Sequence, residues 1–316
     1  MAYADRATGV ALVRDGDRLI NADGATIARF REGVARFVDD DGYAGSFGFQ
    51  WNAARTARSE HPMLRERHHA TLAARTRFDE HDMTGKVCLE IGCGSGDDTD
   101  YLLTLPFGEI HAVDLSHAID RAARRFEDPR LRLAQADANA LPFAEGSFDV
   151  VFIHRVMQHT PHPAATLARA AGMVKPGGLL FAHSYHRSLM NSRSAKYKYR
   201  WLTRRLPKRL VWHTLRATAP ALHGVNRLIA ERGPAGRELV RRWSPLVLMD
   251  TTWPEADRRT LVDLEAVVSF DALTPRYDLP MWSRDFIDLV RSMGFRVLHA
   301  DTEPWLPLTV TARREA

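Results

Sequence analysis

The sequence is poor in cysteine and has no long apolar run. Of its 316 residues only two are cysteines, Cys88 and Cys93, which excludes a disulfide framework or a four-cysteine zinc site. No stretch approaches the roughly 20 apolar residues that a membrane-spanning helix needs. The N-terminus also lacks the basic start and apolar segment of a secretory signal. We therefore expect a chain that does not span a bilayer and that resides in the reducing cytoplasm.

Acidic residues are scarce in one segment. The whole chain carries 44 Lys and Arg against 39 Asp and Glu, a net charge of +5. Between Arg187 and Met249, however, 15 basic residues stand beside two acids, so this segment carries +13 and the remainder −8. Such asymmetry predicts an anionic partner for the basic segment, either a substrate or a surface. The overall content of 45% apolar and 26% charged residues is ordinary for a globular protein and excludes wholesale disorder.

Strand and helix patterns alternate through the middle of the chain. This alternation predicts a parallel sheet with helices on both faces. It stops after His186 and resumes with a helix at Ser283–Met293 that is followed by two strands. Asp-Gly turns near the N-terminus separate short apolar runs and predict hairpins. We divide the chain into a β-hairpin extension (1–44), a helical lid segment (45–82), a cofactor-binding core (83–186), a basic helical insertion that forms a substrate lid (187–280) and the end of the core (281–316).

A glycine cluster follows the first apolar strand of the core. The segment Val87–Gly96 reads VCLEIGCGSG and places three alternating glycines at the carboxyl end of a sheet, where α/β proteins bind ligands. Glycines there tolerate positive φ and let the backbone approach a ligand closely. Asp114 ends the next strand about 20 residues later, where an acidic side chain can bind ribose hydroxyls. Asp137 follows the third strand and is placed to bind the exocyclic amine of an adenine.

The order of these signals resembles the class I S-adenosylmethionine-dependent methyltransferases over most of residues 80–186 and 283–312. Glu90–Gly96 (EIGCGSG) stands where the first motif of that family stands, and the turn Lys175–Gly178 (KPGG) precedes the fifth strand. The resemblance implies an α/β fold with a doubly wound, mostly parallel, Rossmann-like seven-stranded sheet, S-adenosyl-L-methionine as cofactor and methyl transfer as activity. A dinucleotide dehydrogenase would share the first strand and the ribose acid, but its third glycine would replace Asp97.

The resemblance also implies cofactor-binding roles for individual residues. Glu90 is expected under the methionine end of the cofactor, and Asp114 on the ribose. Asp137 and its neighbour are expected against the adenine. Ile153 and His154, just after the fourth strand, would accept hydrogen bonds from the methionine ammonium. The full set is Glu90, Gly92, Cys93, Gly94, Gly96, Asp114, Leu115, Asp137, Ala138, Ile153 and His154.

Methyl transfer requires a nucleophile held about 3 Å from the methyl carbon and in line with the departing sulfur. A hydroxyl acceptor gains further rate from a general base with a pKa near neutrality. His159 is the candidate base, because the family often carries a Gln-His pair in this loop; a histidine bonded to backbone is the alternative. By residue type His154, His159 and His162 could also hold zinc. Nothing in the sequence brings the three rings together, so we predict no metal.

Substrate contacts are expected from segments outside the cofactor motifs. The candidates are Tyr185, Arg276 and Tyr277. The segment Asp271–Asp278 resembles one at the substrate mouth in a subgroup of the family that carries an N-terminal β-rich extension. Tyr43–Asn52 resembles a segment that leads into helices covering the cofactor in that subgroup. Gln50 and Trp51 are therefore candidates for a lid, or alternatively an aromatic anchor for the hairpins.

The basic insertion interleaves aromatic and cationic residues, as in Tyr197–Leu206 and Arg241–Trp243. Three interpretations stay open: a solvated helical cap, a pocket for an anionic acceptor, and a surface that docks on RNA or an anionic membrane. The favoured function is O-methylation of a small biosynthetic metabolite. The alternatives are an RNA-modifying methyltransferase and a non-catalytic binding module of the same fold. The fold does not encode the acceptor or the oligomeric state.

Overall fold

The computed structural model of the chain describes residues 3–53, 62–303 and 307–315. The chain divides into two compact units, one of Met1–His186 and Tyr277–Ala316 and the other of Arg187–Arg276. Part of the predicted helical lid segment, residues 54–61, lies outside the described residues.

The described residues of the first unit form one sheet of 11 strands. The strands are β1 (Val13–Asp15), β2 (Arg18–Ile20), β3 (Thr26–Arg31), β4 (Val34–Arg36), β5 (Val87–Ile91), β6 (Glu109–Asp114), β7 (Leu131–Gln135), β8 (Phe148–Ile153), β9 (Val174–Ser184), β10 (Phe295–Asp301) and β11 (Leu308–Arg314). Their order is β1-β2-β3-β4-β7-β6-β5-β8-β9-β11-β10. Strands β5 to β9 pair in parallel, and β11 pairs antiparallel with both β9 and β10. These strands confirm the predicted mostly parallel seven-stranded sheet.

The N-terminal strands continue this sheet. Strands β1 to β4 form antiparallel hairpins, and β4 then pairs in parallel with β7, with Val34 opposite Leu133 and Arg36 opposite Gln135. The sequence predicts hairpins that pack on the core. In the structure they extend its edge, because the backbone groups of β7 hydrogen-bond to those of β4 and would otherwise lack a strand partner.

Helices cover both faces of the sheet, as a doubly wound fold requires. Those of the first unit are α1 (Gly45–Ala53), α2 (Pro62–Thr76), α3 (Asp97–Leu102), α4 (Ile119–Arg125), α5 (Pro163–Gly172) and α11 (Ser283–Ser292). Alternate side chains of β8 pack on the two faces of the sheet, since successive residues of a strand point to opposite sides. Val151 and Ile153 lie in one buried cluster with Leu167 and Phe286. Phe152 lies in another, with residues of α2, α3 and β9.

The second unit is helical. Its helices are α6 (Leu189–Ser192), α7 (Ala195–Thr203), α8 (Lys208–Ala230), α9 (Pro234–Trp243) and α10 (Arg258–Leu273). Helix α8 packs on α10 through Trp212, whose ring meets Phe270 edge-on at 5.3 Å. A buried pair, His223 and Glu265, joins the same two helices at 2.9 Å. No helix among the described residues is both long and apolar enough to cross a membrane.

Phe181→Ala should lower the free energy of unfolding by about 3–5 kcal/mol, the usual cost of emptying a buried aromatic site. Phe181 on β9 is fully buried, stacks on Phe152 at 5.0 Å and meets Phe78 at 6.3 Å. Urea unfolding followed by circular dichroism measures the loss. Leu298→Ala, on the exposed side of β10, is the control and should cost less than about 1 kcal/mol. Equal losses in the two variants would contradict the assignment of this core.

Candidate functional site

The predicted cofactor-binding residues converge at the carboxyl edge of the parallel strands. Ile91 at the end of β5 pairs with Ile153 of β8 and Val113 of β6, and Asp114 pairs with Gln135 of β7. The loops that follow β5, β6, β7 and β8 therefore emerge side by side. This is the edge at which open α/β sheets bind ligands.

The loop after β5 is a tight turn that only glycine can make at two of its positions. Gly92 and Gly96 have φ values of 81° and 90°, in the left-handed region. A β-carbon on Gly92 would lie 2.0 Å from a methyl of Val156, and one on Gly96 would lie 2.3 Å from the ring of Phe126. The glycine turn (Gly92–Gly96) is therefore shaped by packing as well as by backbone conformation.

Asp114 ties this turn to the end of β6. Its Oδ2 accepts a hydrogen bond from the Gly94 amide at 2.8 Å. Its Oδ1 accepts from the amide and the hydroxyl of Ser116, at 2.7 Å and 2.6 Å. Burial raises the pKa of this carboxyl, although the donors from Ser116 and Gly94 oppose the shift. The side chain is thus held in one orientation at the strand end.

Asp137 is oriented by a tyrosine distant in the sequence. Its Oδ1 accepts from the Tyr43 hydroxyl at 2.8 Å, and from the amide and side chain of Asn139 at 2.8 Å and 3.1 Å. The amide of Ala136 donates to the carbonyl of Asp114 at 3.0 Å, which links the two loops. Burial and the neighbouring carboxylate raise the pKa of the Tyr43 phenol.

Helix α1 lies against the glycine turn. The indole Nε1 of Trp51 is 3.3 Å from the point where a β-carbon on Gly94 would stand. The Trp51 carbonyl accepts from Arg121 of α4 at 2.9 Å, and the Phe47 ring lies 4.9 Å from that of His159. An aromatic face of α1 therefore borders both the turn and the loop after β8.

His159 lies in an aromatic cluster of the first unit. It is buried, and its Nδ1 is 3.1 Å from the carbonyl oxygen of Tyr277. The Tyr185 ring meets the imidazole edge-on at 5.3 Å, and the Tyr277 ring lies 6.0 Å from Tyr43. Because a carbonyl can only accept, Nδ1 carries the proton and the basic lone pair belongs to Nε2. The fold thus brings His159, Tyr185 and Tyr277 together.

Glu90 is buried inside β5 and faces α3. Its side chain is about 1% exposed, and Oε2 accepts from the Thr99 hydroxyl at 2.6 Å. Burial, together with the nearby charge of Asp98, raises its pKa well above the usual range. The shift favours the protonated form of this carboxyl, in which it can donate a hydrogen bond as well as accept one.

The side chain of His154 is bonded to α3. Its Nδ1 is 2.7 Å from Asp98 Oδ2, and Nε2 of His68 on α2 is 2.7 Å from Asp98 Oδ1. Burial lowers the pKa of His154 to about 4, so the ring is neutral at pH 7. Burial alone would raise the pKa of Asp98, but the two imidazoles hold it well below its usual range. These contacts join α2, α3 and the end of β8.

Several buried polar atoms near this edge have no hydrogen-bond partner among the described residues. They are Oε1 of Glu90, Oγ of Ser95, Oγ of Ser46 and both amide atoms of Gln158. Each unsatisfied buried group costs about 1–3 kcal/mol. They belong to β5, the glycine turn, α1 and the loop after β8. A polar ligand that bonds to them would recover this cost, so the residues present fit a polar cofactor.

The remaining predicted residues contribute backbone hydrogen bonds or side-chain packing. Ile153 and Ala138 have buried side chains within the core. The Leu115 carbonyl accepts from the Gln135 amide group at 3.0 Å. Cys93 is a free, buried thiol whose pKa burial raises, a state that suits packing rather than nucleophilic attack. Arg276 is exposed and is the last residue of the second unit.

Sequence reasoning missed three functional candidates at this edge: Tyr43, Phe47 and Asp98. The acidic pair at residues 97 and 98, directly after the glycines, was a signal for the last of them. The other two depend on the position of α1. Across residues 3–53, 62–303 and 307–315, no three His, Cys, Asp or Glu side chains form a group that could hold a metal ion.

Residues 89–182 match the family described as "Methyltransferase domain". The chain is 32% identical over 111 residues to the ubiquinone biosynthesis O-methyltransferase of Albidiferax ferrireducens, covering 34% of this chain and 44% of that protein. It is 37% identical over 101 residues to phthiotriol/phenolphthiotriol dimycocerosates methyltransferase 1 of Mycobacterium ulcerans, covering 31% and 37%. The chain thus spans less than half the length of these two relatives.

The structure of magnesium protoporphyrin IX methyltransferase from Synechocystis, solved with bound SAH, shares 12% identity at a TM-score of 0.47, covering 87% of this chain and 98% of that one.

The free energy of unfolding should fall as the pH drops from about 6.5 to about 4. In this range the unfolded chain protonates at position 154, while in the folded state the pKa of His154 is about 4. Because the unfolded state then binds more protons, acid removes stability, by roughly 3 kcal/mol for this group. His111, whose pKa burial likewise lowers to about 4, adds to the decrease.

Urea unfolding at several pH values measures this dependence. His154→Asn should retain only part of the decrease, because Asn does not titrate. The exposed His213→Asn is the matched control and should follow the parent chain. A His154→Asn variant with the full pH dependence would contradict the burial argument.

Proposed function

We propose that the protein is a class I S-adenosylmethionine-dependent methyltransferase, as the match of residues 89–182 to the family described as "Methyltransferase domain" supports, and that it methylates a hydroxyl oxygen of a small metabolite. One observation carries the proposal. The glycine turn, Asp114 and Asp137 share a sheet edge with His159, a buried imidazole whose Nδ1 donates to a carbonyl. A cofactor site and a basic nitrogen are therefore built from neighbouring loops.

The cofactor would be held by the glycine turn and the two acids. Among the described residues, Asp114 Oδ2 accepts a hydrogen bond from the Gly94 amide alone, so it keeps capacity for a ribose hydroxyl. The described bonds to Asp137 all reach Oδ1, which leaves Oδ2 able to accept from an adenine amine. Ser95 and Glu90 would bond the polar atoms of the methionine end through Oγ and Oε1. When bound, the cofactor supplies an electrophilic methyl group on a sulfonium.

His159 would remove the proton from the acceptor hydroxyl through Nε2. Its Nδ1 hydrogen bond to the Tyr277 carbonyl fixes the tautomer that this role needs. The rings of Tyr185 and Phe47 flank it and would limit water near the reacting oxygen. The O-methyltransferase relative supports oxygen as the methyl acceptor.

The finer assignments extend this proposal. The helical insertion, with Arg276 at its end, would bind an anionic group, since Arg binds carboxylates and phosphates in a bidentate manner. We place the protein in the cytoplasm because both of its cysteines are buried free thiols.

Asp114→Ala should weaken binding of S-adenosylmethionine by about 10- to 100-fold, because hydrogen bonds to a charged group contribute about 1.5–3 kcal/mol. Isothermal titration calorimetry measures the dissociation constant. Asp288→Ala on the exposed side of α11 is the matched control and should bind as tightly as the parent chain. Unaltered affinity in Asp114→Ala would refute the site.

His159→Gln should lower the turnover number by about 100-fold or more, the usual contribution of a general base, with little change in cofactor affinity. Formation of S-adenosylhomocysteine with a panel of phenols and aliphatic alcohols provides the assay. The exposed neighbour His162→Gln is the control and should keep the parent rate. Full activity in His159→Gln would exclude it as the base, whereas no product with any acceptor would contradict O-methylation of these classes.

A further inference from the structure

The second unit exposes an unusual amount of apolar surface. Trp201, Leu228 and Trp243 are 63%, 68% and 58% exposed. Further large apolar side chains of the same unit are exposed on its helices and on the segment after α9: Tyr199, Leu202, Leu210, Val225, Leu239 and Val247. Single exposed hydrophobic residues are normal in proteins, whereas a concentration of them within one unit marks an interaction surface.

Helix α8 carries an apolar stripe on the side opposite its packed face. Leu210, Ala217, Ala221, Val225 and Leu228 are exposed and follow one another at steps of seven, four, four and three residues, so they share one helix face. The buried residues of the helix lie on the opposite face: Val211, Trp212, Leu215, Ala219, His223, Asn226 and Ala230. The exposed stripe, which we call the outer α8 stripe, is thus not required for packing against α10.

Aromatic and cationic side chains gather where α7 meets α9. The Lys198 ammonium lies 3.4 Å from the centre of the Trp243 ring and donates to the Arg242 carbonyl at 2.7 Å. The Tyr199 hydroxyl donates to the Trp243 carbonyl at 3.0 Å. Amphipathic aromatic rings next to cations are typical of groups that sit at the level of lipid headgroups.

The positive charge of the second unit favours one of three candidate partners for this surface: a second copy of the chain, RNA or an anionic membrane. With 15 basic residues against two acids between Arg187 and Met249, a second copy of the chain that met this surface through the same segment would present the same positive charge and be repelled. RNA would satisfy the cations and stack on the aromatics, but it would leave the aliphatic outer α8 stripe in water. An anionic lipid surface satisfies both features, because acyl chains receive the apolar side chains while phosphates pair with Lys and Arg.

We propose that the second unit docks on an anionic membrane surface through the outer α8 stripe and the exposed tryptophans of α7 and α9. The protein would lie on the bilayer without crossing it. This interaction is independent of the methyl-transfer chemistry. It combines apolar and charged contacts, and substitutions can separate what each contributes to membrane binding.

Flotation of the full chain with lipid vesicles tests the proposal. Vesicles of phosphatidylcholine with about 30% phosphatidylglycerol should bind the protein, and pure phosphatidylcholine vesicles should not. Raising the salt from about 50 mM to about 500 mM should weaken binding about tenfold or more, because the Debye length shortens. Trp201→Ala and Leu228→Ser should each weaken it about fivefold. Arg209→Glu combined with Arg232→Glu should weaken it by more than tenfold.

Matched controls lie in the first unit. Val13→Ser and Arg6→Glu alter an exposed apolar and an exposed cationic side chain there, and both should bind vesicles like the parent chain. Circular dichroism establishes that each variant is folded. Equal binding to neutral and anionic vesicles would overturn the proposal. Absence of vesicle binding would overturn it as well. Salt-dependent binding of tRNA, or a dimer that Leu228→Ser dissociates, would then identify the partner of this surface as RNA or as a second copy of the chain.

Discussion

The hydrogen bond between the Asp114 carboxylate and the Gly94 amide is the interaction on which the site depends. It joins the end of β6 to the glycine turn that follows β5. The backbone of this turn is already constrained by the positive φ values of Gly92 and Gly96. Packing against Val156 and Phe126 leaves no room for side chains at those glycines. Contacts within the protein therefore define the shape of this turn, and such preorganisation lowers the entropic cost of binding a ligand.

Around this turn the fold separates two kinds of titratable group. On the α3 side, burial favours a neutral Glu90 and a neutral His154, which are fixed by Thr99 and Asp98. On the α1 side, His159 lies among aromatic rings with its tautomer set by a backbone carbonyl. Groups that stabilise the fold and a group suited to proton transfer thus occupy different sides of the same edge. This separation suits the proposed O-methylation, in which the base would face the acceptor.

Much of the fold could be predicted from the sequence because it depends on local patterns. The apolar runs that became β5 to β9 and the glycine turn follow from periodicity and from residue types at strand ends. The bond between Tyr43 and Asp137 could not be predicted, because its partners lie 94 residues apart and meet only when α1 packs on the core. The contact between His68 and Asp98 could not be predicted either, because it forms only when α2 packs against α3. The pairing of β4 with β7 was also missed, since a hairpin's apolar alternation does not reveal which sheet edge it will join.

A crystal structure of the chain with S-adenosyl-L-homocysteine tests the central claim most directly. The account predicts the adenine amine beside Oδ2 of Asp137, a ribose hydroxyl beside Oδ2 of Asp114, and the amino acid end against Ser95. Density for the ligand at any other part of the molecule, with both carboxylates still bonded only to protein atoms, would contradict it.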